Sequence, residues 1–225
     1  MNIFLTGGSG GIGSAIKEIF EENGHIVIAP SSSELNLEKK EFIDKYFENN
    51  HIECEIFIHS AGFNNPALID DISFENIEKT AQINCNSFIQ IMNYLLPYMK
   101  EKHYGKVVAI SSLYGSFGRS GRLAYVYSKH ALQGVIKTYA CEYGKDNILF
   151  NSLSPGFVDT KMTRKNNSED AIKKITSMIP VGRMAFPKEI AEIVYYLSSE
   201  NNSYITGQNI TVDGGFTAEG GMHSL

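Results

Sequence analysis

The chain has 225 residues, enough for one domain with a sizeable core, and its 43% hydrophobic and 20% charged residues exclude a disordered protein. A formal net charge of −5, with lysines and arginines scattered along the chain, speaks against a nucleic-acid binder. The three cysteines (Cys54, Cys85 and Cys141) form no disulfide or metal-binding pattern, and we interpret them as small apolar residues of a protein in a reducing compartment. The sequence shows no signal-peptide core and no apolar run near the ~20 residues of a membrane span. It therefore predicts a cytoplasmic protein that needs neither a membrane nor a metal site.

Short apolar runs alternate with longer amphipathic stretches along the whole chain. The runs predict strands over 3–5, 25–29, 55–59, 106–111, 148–153 and 208–212, and the stretches predict helices over 11–23, 38–49, 74–102, 123–143 and 187–199. Pro97 lies inside the third helix and is expected to kink it or to end its regular part. The polar segment 161–177 is interpreted as a mobile insert. Continuous apolar strands that alternate with helices predict an α/β fold: a doubly wound parallel sheet (Rossmann fold) in three α/β/α layers, as a single domain over 1–225.

A glycine-rich turn follows the first predicted strand directly. Segment 6–13 reads Thr-Gly-Gly-Ser-Gly-Gly-Ile-Gly and opens the first helix. Glycines let the backbone approach a pyrophosphate, and a helix N-terminus offers free N–H groups and a positive dipole end. The alternative is a merely flexible turn. It is disfavoured because each of the five glycines loses much conformational entropy on folding. The turn therefore predicts a dinucleotide site.

The stretch after the second strand bears on which dinucleotide binds. NAD enzymes often place an acid there, to bind the adenosine ribose, but here the stretch reads Ala-Pro-Ser-Ser-Ser over 29–33. The serines could hydrogen-bond a 2′-phosphate, so NADP(H) is favoured over NAD(H). Glu34 comes slightly late in the sequence, although it could fold back.

Tyr125 and Lys129 carry the predicted chemistry. Their spacing of four places them on one face of the helix over 123–143. A tyrosine normally titrates near ~10, and a neighbouring ammonium or an oxidised nicotinamide would lower its pKa enough for acid/base work. Ser112, at the end of the preceding strand, could hydrogen-bond the substrate oxygen. A Tyr/Lys pair by itself is more often a surface pair, and Tyr127 lacks such a partner because Ala131 lies four residues on.

These motifs together resemble those of the short-chain dehydrogenase/reductases, specifically their single-domain branch, over essentially the whole chain. The features that carry the resemblance occur in the family's order and spacing: the 6–13 turn, Ala61-Gly62, Asn84, Ser111-Ser112, Tyr125/Lys129, Pro155-Gly156 with Thr160, and the tail from 205–208 to Asp213-Gly214-Gly215. The nearest group is the 3-oxoacyl-carrier-protein reductases, which grade into sugar and polyol enzymes.

The resemblance implies a role for each matching residue. Tyr125 is the general acid/base, Ser112 positions the carbonyl or alcohol, Lys129 holds the nicotinamide ribose, and Asn84 interrupts its helix to hold a water in a proton relay. The implied cofactor-binding residues are Gly7, Ser9, Gly11, Ile12, Gly13, Ser31, Asn36, Leu37, Ala61, Gly62, Asn84, Tyr125, Lys129, Pro155, Gly156, Val158 and Thr160.

Three departures from the family pattern matter. His59-Ser60 replaces the first two residues of the usual Asn-Asn-Ala-Gly, and His59 is expected to be a structural hydrogen-bonding group and no second base. The usual helix and strand after the second strand are expected to be trimmed or reduced to 31–37, with Asn36-Leu37 at the adenine. Gly10 stands where NADP-using members often carry a basic residue, which weakens the preference for NADP(H).

Function is predicted as hydride transfer between NAD(P)(H) and a small alcohol or carbonyl substrate, with a 3-oxoacyl thioester or a keto-sugar as candidates. A non-catalytic, cofactor-binding regulatory protein and a sugar-nucleotide epimerase are the alternatives. The first is disfavoured by the complete set of catalytic residues, and the second by the short chain.

Two groups of residues bear on the substrate. One group is basic and suggests an anionic or carrier-bound substrate, or else consists of solvated loop charges: Arg119, Arg122, Lys161, Arg164 and Lys165. The other group suggests an apolar mouth to the site: Leu113, Tyr114, Phe117, Leu123 and Phe157. The resemblance implies pairing through the helices over 74–102 and 123–143 and through the C-terminal strand, as a homotetramer or a homodimer.

Overall fold

The computed structural model describes residues 1–218, which form a six-stranded parallel sheet in the order β2-β1-β3-β4-β5-β6. The strands are β1 (Asn2–Thr6), β2 (Ile26–Ile28), β3 (Ile56–His59), β4 (Gly105–Ile110), β5 (Ile148–Pro155) and β6 (Asn209–Val212). All six predicted strands are present, with ends that differ by no more than two residues.

Helices cover both faces of this sheet. They are α1 (Gly11–Glu22), α2 (Lys40–Asn49), α3 (Phe74–Ala81), α4 (Ser87–Lys102), α5 (Leu123–Tyr143), α6 (Lys161–Lys165), α7 (Glu169–Ser177) and α8 (Pro187–Ser198). Because successive strand residues point to opposite faces, Phe4 and Phe57 join one apolar cluster while Leu5 and Ile58 join the other. The predicted three-layer, doubly wound α/β fold is thereby confirmed.

The long helix predicted over 74–102 is interrupted at a different place from the one expected. The helix predicted over 74–102 is not ended by Pro97, since α4 continues past it to Lys102; the regular pattern is broken earlier, by a π-helical turn over Gln82–Asn86. Such a turn accommodates one extra residue and is frequent at functional sites. The segment 161–177, interpreted as a mobile insert, folds into α6 and α7, each begun by a side-chain cap, from Thr160 and Ser168. Its mobility stays a prediction.

The segment 31–37 contains neither helix nor strand, as the sequence predicted. The chain passes straight from β2 to α2 and β3, so β2 is an edge strand and Ile26 is 65% exposed. In the sheet β1 lies between β2 and β3, and the chain crosses from β2 on one side of β1 to β3 on the other. Ligands of such sheets bind at this switch point, beyond the carboxyl ends of the strands.

Candidate active site

A cleft with a volume of about 490 Å³ lies at that switch point. It contains most of the side chains predicted for cofactor and catalysis. The predicted residues that line it are Gly7, Ser9, Gly11, Ile12, Gly13, Asn36, Leu37, Ala61, Gly62, Ser112, Tyr125, Lys129, Pro155, Gly156, Val158 and Thr160. Of the predicted set, Ser31 and Asn84 lie outside this lining.

The glycine turn is shaped for close backbone approach. Gly7 has φ +73°, and a Cβ on it would lie 2.6 Å from the backbone nitrogen of Ala61. A Cβ on Gly13 would lie 2.0 Å from the carbonyl oxygen of Gly7, so only glycine allows this contact between turn and helix. No side chain caps α1 at Gly10, and no acid lies in its first turn. The helix N-terminus therefore keeps its positive dipole end for an anion, which fits a dinucleotide pyrophosphate.

At the adenosine end of the cleft, Glu34 folds back onto Ser31. Its carboxylate accepts hydrogen bonds from the Ser31 backbone N–H (2.8 Å) and from its Oγ (2.7 Å). These bonds lower the pKa of Glu34, so it is ionised at neutral pH. Ser31 Oγ is also 2.8 Å from Ser33 Oγ. Three serines were expected to face a 2′-phosphate. Ser31 instead bonds to Ser33 and to the Glu34 carboxylate, and Ser32 is the serine that lines the cleft.

At the nicotinamide end, α5 brings Tyr125 and Lys129 together. Lys129 is 2% exposed, its Nζ donates a hydrogen bond to the Ile110 carbonyl (2.7 Å), and the same nitrogen lies 5.6 Å from the centre of the Tyr125 ring. Ser112 follows β4 and hydrogen-bonds the Tyr125 side chain. Three residues that the sequence could place only on neighbouring elements therefore meet in one cleft.

Burial dominates the protonation of this pair. Desolvation raises the pKa of Tyr125 to about 12, against the opposing effect of the Ser112 hydrogen bond. Desolvation also lowers the pKa of Lys129 to about 8. The expected lowering of the Tyr125 pKa by Lys129 is not seen, and Tyr125 holds its proton at neutral pH.

Asn84 lies in the π-helical turn, as expected of a residue that interrupts its helix, and is fully buried. Its Oδ1 accepts from the Phe63 backbone N–H (2.7 Å), and its Nδ2 donates to the Phe63 carbonyl (2.9 Å) and to Ser128 Oγ (2.9 Å). The side chain thus fixes the loop after β3 to α5, behind the cleft wall. The predicted water relay stays a prediction.

His59 has the structural character predicted for it. Its Nδ1 lies 2.9 Å from Thr6 Oγ1, joining β3 to β1. Burial, with the nearby positive charge of Lys129, lowers the pKa of His59 to about 3. The ring is therefore neutral at physiological pH.

The far wall of the nicotinamide end follows β5. Gly156 lies against the backbone of Asp213, since a Cβ on it would come 2.7 Å from the Asp213 Cα. Val158 forms an isolated parallel β-bridge with Ala185, and the Thr160 side chain caps the N-terminus of α6. These contacts, with the hydrogen bond from the Gly156 N–H to the Val212 carbonyl, bring two segments that are far apart in sequence into one wall.

Several lining residues were missed at the sequence level: Ile83, Phe63, Leu35, Ile110, Met162 and Thr163. Most are apolar or lie on loops, and no local pattern separates them from core residues. Lys161 also lines the cleft, whereas Arg164 pairs with Asp159 at 2.7 Å.

The fold and the site define a class: single-domain, nicotinamide-dependent oxidoreductases with a Rossmann sheet. A family model described as "Enoyl-(Acyl carrier protein) reductase" matches residues 14–217. The chain belongs to the short-chain dehydrogenase/reductase family and is an NAD(P)-dependent oxidoreductase.

Curated relatives and solved structures agree with this family assignment. The chain is 33% identical to the 3-oxoacyl-[acyl-carrier-protein] reductase FabG of Aquifex aeolicus and 30% identical to that of Thermotoga maritima, in each case over 94% of this chain and 95% of the relative. A structure described as 4-hydroxyisoleucine dehydrogenase complexed with NADH superposes with a TM-score of 0.89 at 28% identity, covering 96% of this chain and 98% of the other. Within residues 1–218, no helix is long and apolar enough to cross a membrane.

Proposed function

We propose that this protein interconverts a small alcohol and its carbonyl compound by hydride exchange with a nicotinamide cofactor, with Tyr125 as general acid/base. The observation that carries the proposal is the meeting of Ser112, Tyr125 and Lys129 at one end of a cleft whose other end is the glycine turn. A bound nicotinamide would supply or accept the hydride at this end.

Each residue of the chain then has a defined task. Ser112 and the Tyr125 hydroxyl hold the substrate oxygen. With its pKa of about 12, Tyr125 keeps its proton at neutral pH and can donate it to the oxygen as a carbonyl is reduced. Lys129, anchored by the Ile110 carbonyl, has N–H groups left to bind a ribose hydroxyl and holds positive charge near the phenol. In the direction of alcohol oxidation, Tyr125 must first lose its proton. The positive charges of Arg122 and of a bound oxidised nicotinamide would favour this loss.

The test is Tyr125→Phe, which removes the hydroxyl and keeps the ring. Cofactor affinity, measured by fluorescence titration, should change little, and turnover should fall by about 10²–10⁴-fold, the usual contribution of a positioned acid/base. The matched control is Tyr127→Phe on the exposed face of the same helix, which should leave both values unchanged. Full turnover by the Tyr125 variant would refute the assignment.

The residues after β2 bear on whether the enzyme prefers NADP(H) or NAD(H). Ser32, which lines the cleft, supports NADP(H), the cofactor that the sequence favours. Glu34 is an observation against it, because an ionised carboxylate beside Ser31 repels a 2′-phosphate and could accept a ribose hydroxyl instead.

The substrate, the oligomeric state and the location of the protein are also proposed. The names of the curated relatives support a carrier-bound 3-oxoacyl thioester, and the keto-sugar stays a second candidate. A homotetramer or homodimer through α3–α4 and α5 is supported by exposed apolar residues such as Phe74 and Tyr127 on these helices. The unpaired cysteines support a cytoplasmic location.

A further inference from the structure

A second, smaller cavity adjoins the reacting side chains. Its volume is about 110 Å³, and it shares Ser112 and Tyr125 with the main cleft. No residue of the 6–13 turn lines this cavity, so it is placed to receive the body of the substrate. Leu113 and Phe157 give it an apolar wall, and Arg122 supplies a guanidinium.

Arg122 differs from the other arginines of the chain. Arg164 is paired with Asp159 and Arg183 with Glu189, whereas Arg119 is exposed. Arg122 is partly buried and forms no ion pair with any residue of the described chain.

The surroundings of Arg122 leave its charge unbalanced. Its hydrogen bond within the protein runs from Nη1 to Asn64 Oδ1, at 3.2 Å. The charged or titratable groups that act on it are Tyr114, Tyr125 and Arg119, and none of them is a carboxylate. A guanidinium has five N–H donors, so several remain for a ligand. A partly buried cation without a partner is costly, and a site of this kind gains from an anionic ligand.

We propose that Arg122 binds a carboxylate of the substrate, so that the enzyme acts on short hydroxy and oxo carboxylic acids. The inference rests on the proposed function. The planar guanidinium matches a carboxylate with paired hydrogen bonds, while the oxygen to be reduced lies at Ser112 and Tyr125. The cavity is small beside the roughly 300–1,000 Å³ of pockets for drug-sized ligands, so it suits a short carbon chain. A thioester on a carrier has no free carboxylate, which separates this class from the carrier-bound one.

The experiment compares each acid with its own methyl ester. Acetoacetate and 4-oxopentanoate and their methyl esters are reduced with NADH and NADPH, alongside the N-acetylcysteamine thioester of acetoacetate. We expect the wild-type protein to favour at least one acid over its ester in kcat/KM. Arg122→Gln should lower kcat/KM for that acid by about 30-fold, the effect of losing a hydrogen bond to a charged group, and leave the ester unchanged. Arg122→Lys should restore part of the loss.

The control is Arg119→Gln, which removes the same charge from an exposed neighbour. It should leave the preference for the acid in place. Equal losses at Arg119 and Arg122 would mean general attraction and overturn the proposal. So would a parallel loss for the ester in Arg122→Gln, which would point to a structural role through Asn64. A wild-type preference for esters or thioesters in every pair would overturn it as well and leave the proposed function intact.

A binding measurement separates the two proposals if no carbonyl is reduced. Absent turnover would count against the proposed function. Butanoate is then titrated calorimetrically into the protein saturated with NADH or NADPH. Binding to the wild type that is lost in Arg122→Gln supports the carboxylate site, and no binding to the wild type refutes it.

Discussion

The buried ammonium of Lys129 should reduce the stability of the fold, and Lys129→Met tests this. The residue is 2% exposed, and the pKa of the ammonium is lowered to about 8, against an ordinary value of about 10.4. At about 1.4 kcal/mol per pKa unit, keeping the charge in the folded protein at pH 7 costs roughly 3 kcal/mol. Methionine fills a similar volume but loses the bond to the Ile110 carbonyl, worth about 1–2 kcal/mol. The free energy of unfolding at pH 7 should therefore rise by about 1–2 kcal/mol, with loss of turnover.

The stability difference between the wild type and Lys129→Met should depend on pH. Below pH 8 the lysine is charged in both the folded and the unfolded state, so the full penalty applies to the wild type. Between pH 8 and about 10.4 the folded state has lost the proton and the unfolded state still binds it, so wild-type stability rises with pH relative to the variant. The advantage of Lys129→Met should shrink across this window and disappear or reverse near pH 10.5. Tyr125, with a pKa of about 12, titrates above this window and contributes little to the difference.

Urea unfolding at fixed protein concentration, at pH 7, 8.5 and 10, measures this difference. Lys137→Met, an exposed lysine on the same helix, is the matched control and should give a difference independent of pH. If Lys129→Met destabilised the protein at pH 7 by more than 1 kcal/mol, or if its effect did not change with pH, the burial argument would be refuted.

Two further predictions concern the cofactor end of the cleft. Glu34→Gln should raise the kcat/KM ratio of NADPH to NADH by about 5- to 10-fold, because one close negative charge is removed, whereas the exposed Glu41→Gln should not. An unchanged ratio would show that Glu34 does not face the 2′ position. Gly13→Ala places a Cβ 2.0 Å from the Gly7 carbonyl oxygen and should weaken cofactor binding at least 10-fold in a fluorescence titration. Gly134→Ala has open space and should instead stabilise α5 by about 1 kcal/mol, so equal effects of the two would contradict the steric reasoning.

Features that depend on local spacing could be predicted from the sequence. The helix over 123–143 was predicted with the bounds that α5 has, because apolar periodicity is a property of the segment itself. The same periodicity placed Tyr125 and Lys129 one turn apart on one face. The strands were found for a similar reason, since buried parallel strands are continuous apolar runs.

Features that depend on partners distant in sequence could not be predicted in this way. Pro97 was expected to disturb the long helix, but the disturbance is at Asn84, where the side chain bonds the Phe63 backbone across the cleft wall. Sequence spacing does not show that burial would raise the pKa of Tyr125, because burial depends on every element packed around the residue. That Arg122 lacks a carboxylate partner is likewise a fact about the whole surrounding structure.

The sequence by itself determined the order of strands and helices, the glycine turn and the candidate acid/base pair, because these follow from the chain's local pattern of apolar, glycine and polar residues. Only the tertiary structure decided which of these groups share a cleft, what their pKa values are and which charge is left unpaired. The physical reason is that desolvation and electrostatics depend on distances through space, which the linear sequence does not contain.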